Sequence, residues 1–61
     1  MEVSREGELR HELAGVNQQI KLIEYMRGLG KATEHQLGQL PALRARQKEL
    51  MEEIEALLKR L

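Results

Sequence analysis

The strongest constraint on this chain is a stripe of apolar residues. Leu9, Leu13, Val16, Ile20 and Ile23 recur in alternating steps of four and three, which draws a single line down one side of a helix. In heptad lettering they are d, a, d, a, d. A second stripe follows the same rule: Leu40, Leu43, Gln47, Leu50, Ile54, Leu57 and Leu61, widened on one side by Leu37, Met51 and Leu58. Two such stripes joined by a short connection predict two helices lying antiparallel.

The ends of the helices are also written in the sequence. After Ile23 the next seam positions fall on Arg27 and Gly30, so the stripe stops. Arg27-Gly28-Leu29-Gly30 offers a basic last turn and a glycine at C′, which predicts a first helix over about 5–27, with Met1 to Ser4 frayed and Leu29 folding back onto Ile23 as the C″ residue. Thr33 followed by Gln36 has the spacing of a capping box and predicts a second helix over about 34–60, leaving a loop at 28–33. Gly38 and Pro41 weaken that helix near its start and predict a kink or break at 38–41. A first helix reaching Leu37, with its turn at 38–41, ranks second: it must absorb Gly28 and Gly30 at about 1 kcal/mol each and gives the following helix no good N-cap. Among the charged residues, Glu6 with Arg10 and Glu55 with Lys59 stand in the favourable order for exposed helical pairs.

Composition narrows the class. All ten acidic residues are Glu; Asp, Phe, Trp and Cys are absent, a balance that favours helix over strand and removes any disulfide framework or thiolate metal site. Ten Lys and Arg cancel the ten Glu, so no net field draws the chain to nucleic acid or to an anionic membrane. No apolar run approaches a membrane span, and Met1-Glu2-Val3-Ser4-Arg5-Glu6 lacks the order of a signal peptide; the expectation is a cytoplasmic protein. The fold class expected is therefore all-α, an antiparallel, coiled-coil-like two-helix hairpin.

At 61 residues the chain lies below the size at which one core is comfortably sufficient. Two helices touching along one line leave Leu22, Met26, Met51 and Leu58 off the seam. A second copy would cover them, making a two-fold dimer and a four-helix bundle. The oligomer or partner interface expected comprises Leu9, Leu13, Val16, Ile20, Leu22, Ile23, Met26, Leu43, Leu50, Met51, Ile54, Leu57, Leu58 and Leu61. Gln47 interrupts the second stripe, either as a seam-edge side chain reaching water or as a polar device that fixes register.

Chemistry-bearing residues are sparse. The only Ser is Ser4 and the only Thr is Thr33, which capping already explains, and a two-helix hairpin lacks a cavity for substrate; no catalysis and no cofactor are expected. Glu8-Leu9-Arg10-His11 has the Glu-x-x-His spacing of di-iron bundles, but Leu9 takes the seam and turns Glu8 and His11 outward, so no metal site is expected. His35 reads as a surface histidine in the first turn of a helix. Arg44, Arg46 and Lys48 form a small basic cluster, read as a solvated face because Glu49 to Glu55 follow at once. Tyr25, Met26 and Leu29 gather with Leu22 at the loop end, where they either cap the core or form a binding tip.

In length and apolar spacing, Gly38-Gln39-Leu40 through Ile54 to Leu61 resembles the two-helix protein of the bacterial large ribosomal subunit. The hairpin as a whole resembles the antiparallel finger domains that bind Rho-type GTPases and the coiled-coil fingers of bacterial transcript-cleavage factors. Two functions are thus expected to compete. The first is a non-catalytic interaction or oligomerisation module that acts as a homodimer or with another helical protein. The second, implied by the resemblances, is a small regulatory finger that binds a larger machine such as RNA polymerase, a ribosome or a GTPase.

Overall fold

The computed structural model describes residues 4–60. They form two helices, α1 (Arg5–Gly28) and α2 (Glu34–Lys59), packed as an antiparallel hairpin 44 Å long. Among the described residues there is no strand, and no helix is long and apolar enough to cross a membrane. Each helix starts on a side-chain cap. Ser4, expected to fray, instead accepts a hydrogen bond from the Gly7 amide at 3.0 Å, while Met1 to Val3 lie outside the described residues. Thr33 accepts from the Gln36 amide at 3.1 Å, and the Thr33 amide donates back to Gln36 Oε1 at 3.0 Å, a reciprocal box that satisfies two otherwise orphaned donors.

The stop of α1 differs in one residue from the sequence expectation. Gly30, not Gly28, adopts the left-handed conformation, with φ of 72°. Its amide donates to the Arg27 carbonyl at 3.0 Å, and the Lys31 amide donates to Met26 at 2.9 Å, the paired bonds of a Schellman stop. Gly28 therefore stays helical, and the C″ position belongs to Lys31. Leu29 is the C-cap and half exposed, so it does not fold back as a C″ contact.

Of the kink or break expected at 38–41, no break occurs: α2 is one run of helix with Pro41 inside it. Pro41 lies on the exposed side, so the Leu37 carbonyl that loses its amide partner faces water. Leu40 just before it is buried and Leu43 just after it packs on the core, which holds both sides of the weak turn in place. The core itself is the line where the stripes meet: Leu9, Val16, Ile20 and Ile23 from α1, Leu40 and Leu50 from α2, with Leu13, Leu43, Ile54 and Leu57 partly buried around them.

Candidate interaction surface

Heptad lettering carried through α2 makes Leu40, Gln47 and Ile54 a positions and Leu43, Leu50 and Leu57 d positions. In an antiparallel pair the g residues of the two helices then face each other along one edge of the seam, and the e residues along the other. The two edges of this hairpin have opposite characters.

The g edge is bridged by charge. Arg5 Nη2 lies 3.6 Å from Glu53, and Arg46 Nε donates to Glu12 at 2.6 Å while its Nη1 donates to Glu49 at 3.1 Å. From Arg5 to Glu12 on α1 and from Glu53 to Arg46 on α2 the contacts advance by one heptad each, in opposite directions, which fixes the antiparallel register. The Arg46 hydrogen bond is the main reason that the Glu12 carboxyl is held below its ordinary 4.5; partial loss of water opposes this, and the attraction of Arg46 and Arg5 adds to it. A lowered carboxyl pKa contributes stability that is complete above the unfolded value and is lost as pH falls through the folded one. Glu12→Gln is accordingly expected to lower stability slightly at neutral pH, where the ion pair is intact, and to leave it unchanged at pH values well below 4.5, so that the acid limb of the stability–pH profile flattens, measured by urea unfolding across pH 2–7. An unchanged acid limb would remove this pair from the account. The basic cluster read as a solvated face is thus partly an inter-helix clamp, since Arg44 on the other edge also donates to Glu24 at 2.6 Å.

The e edge is polar in its middle and apolar towards the chain ends. Gln47 Nε2 donates to Asn17 Oδ1 at 2.6 Å, both side chains being half-buried. Gln47 is therefore paired across the seam and does not simply reach for water. Beyond it, Leu13 and Ile54 at the seam and Met51 and Leu58 beside it line an open groove of about 350 Å³, with Arg10 on the α1 rim and Glu55 on the α2 rim. Met51 is 56% and Leu58 45% exposed, so two large apolar side chains meet solvent side by side.

The structure divides the interface expected from sequence. Leu9, Val16, Ile20, Ile23 and Leu50 are buried by the hairpin itself and so are not free to meet a partner, because packing α1 on α2 already consumes the stripe. Leu13, Leu43, Ile54 and Leu57 are half-buried beside that core, and Met26 is half-buried at the loop end. Leu22, Met51 and Leu58 are exposed, and Leu61 lies outside the described residues. Leu40, which opens the second stripe but is not in the expected interface set, is buried as well. At the loop end Tyr25, Leu22 and Leu29 stand on the back of α1, with Tyr25 65% exposed, and do not cap the core.

Glu8 forms a pair with Arg5 at 3.5 Å, and His35 shares a 3.2 Å contact with Gln39. Among the described residues no group of three or more metal-ligating side chains comes together. No protein-family model matches the chain, and comparison with curated proteins and with solved structures gives no match.

Proposed function

We propose that this hairpin is a non-catalytic protein–protein interaction module that works by pairing with a second copy through its e edge, forming a four-helix bundle. The observation that carries the reading is the contrast between the edges: one is bridged by the pairs Arg5–Glu53 and Arg46–Glu12, while the other, bridged by Glu24–Arg44 only towards the loop, leaves Met51 and Leu58 in water beside the half-buried Leu13 and Ile54. Exposed apolar groups gathered on one side of a small domain favour association, and a self-complementary patch needs no other gene product.

Sedimentation equilibrium with circular dichroism over a dilution series tests this. The expected result is a helical dimer that dissociates and loses helix on dilution. Met51→Glu combined with Leu58→Glu is expected to weaken association about 100-fold or more, equivalent to about 2.7 kcal/mol, because the carboxylates would have to be buried in the interface. A wild-type chain that stays monomeric at millimolar concentration overturns the reading. In that case the exposed Leu22, Tyr25 and Leu29 on the back of α1 favour the second one, a finger that binds a larger machine by its loop end.

A further inference from the structure

Resting on that dimer, we infer that its two-fold axis runs along the length of the hairpin, so that α1 of each copy lies over α2 of the other and both loops emerge at the same end of the bundle. The rims of the open edge carry the argument. Next to the apolar groove the α1 rim bears Arg10 and the α2 rim bears Glu55; towards the loop the order reverses, with Glu24 on α1 and Arg44 on α2. Two copies laid face to face have two kinds of two-fold available. An axis along the helices exchanges α1 with α2 at constant height, so that the apolar groove meets its own copy, Arg10 meets Glu55, and Glu24 meets Arg44. An axis across the helices sets α1 on α1. Centred on the apolar groove, it brings Arg10 against Arg10 and Glu55 against Glu55. Slid to the middle of the hairpin, it relieves those clashes and brings Arg10 near the partner's Glu24, but lays the apolar groove over the partner's loop half, whose open edge carries the charged Glu24 and Arg44. Only the lengthwise axis matches apolar groups and charge together: like charges select against the crosswise axis centred on the groove, and apolar mismatch against the one centred on the hairpin. All four rim charges lie in intramolecular pairs, Arg10 with Glu6 at 2.8 Å, Arg44 with Glu24 at 2.6 Å and Glu55 with Lys59 at 3.5 Å, yet their side chains stay 42–66% exposed and can take a second partner across the interface.

The chain has no cysteine, so Lys31→Cys in the loop carries a single spin label per copy, and dipolar electron resonance reads the distance between the two. The lengthwise axis places the labels roughly 20 Å apart or closer, given helix spacings of about 8–10 Å. The crosswise axis places them about 40–50 Å apart, at about 1.5 Å per residue from its centre to each loop. A short distance in a dimer confirmed by sedimentation supports the inference. A long distance in such a dimer overturns the topology and leaves dimerisation standing, whereas a monomer overturns dimerisation and the topology with it. A charge exchange gives an independent readout. Glu55→Arg alone is expected to weaken the dimer about ten-fold at low salt, and Arg10→Glu with Glu55→Arg to restore it. Failure of the second change to rescue the first counts against the lengthwise axis.

Discussion

Leu50→Ala is expected to lower the free energy of unfolding by about 2–5 kcal/mol, the range for deleting a fully buried leucine side chain. Leu50 has no exposed surface, and together with Leu9, at 1% exposure, it is the most enclosed side chain among the described residues. Truncation removes its transfer free energy and leaves a void that two rigid helices close only in part. For a domain of this size, with total stability of about 3–9 kcal/mol, the loss is enough to leave much of the population unfolded at 25 °C. Leu22→Ala is the matched control, since Leu22 is 56% exposed, and it is expected to change stability by about 0.5 kcal/mol or less. Urea unfolding at one fixed protomer concentration measures both, because association adds to apparent stability. Equal losses at the two positions would mean that the helices do not pair along this line.

A second effect lies at the Gln47–Asn17 amide pair across the seam. Gln47→Leu leaves Asn17 Oδ1 half-buried without its 2.6 Å donor, and is expected to cost about 1 kcal/mol, the lower end for an unsatisfied buried acceptor because water still reaches the edge. Replacing both partners by Leu reverses the sign. With no polar group left to strand, the double variant is expected to melt at or above the parent temperature, and the difference between the double and the summed single changes gives the coupling energy. The same variant loses specificity: an unbroken apolar stripe accepts slipped pairings that the amide pair penalises, so its oligomer distribution should broaden. If the double variant melts higher while keeping one oligomeric size, the amide pair does not set register.

Much of the hairpin was legible because its signals are local. A residue pattern within one helix reveals which side is buried, and Thr33 with Gln36 names a helix start through bonds spanning three residues. What was not legible depends on the second helix. Nothing in the neighbourhood of Gln47 points to Asn17, thirty residues away and one place off the first stripe. Arg44 and Arg46 look like a solvated basic cluster until the register sets Glu24 and Glu12 opposite them. The misplaced glycine has a different origin: Gly28 and Gly30 both suit a C′ position, and the choice falls to the one whose amide and next neighbour can reach the Arg27 and Met26 carbonyls. That the helix runs through Pro41 without a break follows from the packing of Leu40 and Leu43 on either side, which outweighs one lost amide bond and depends on the first helix. The candidate surface was half visible for the same reason: Met51 and Leu58 were recognisably off the stripe, but which buried residues the hairpin would use up was decided only when the stripes met.

The unlike flanks have a consequence for the size any assembly can reach. A second molecule seated by a two-fold against the bare flank meets it with the same flank of its own, so the pairing surface of both is used up in one contact. Nothing of that surface is left over for a third molecule, so growth through it would end at a closed pair instead of running on into a fibre.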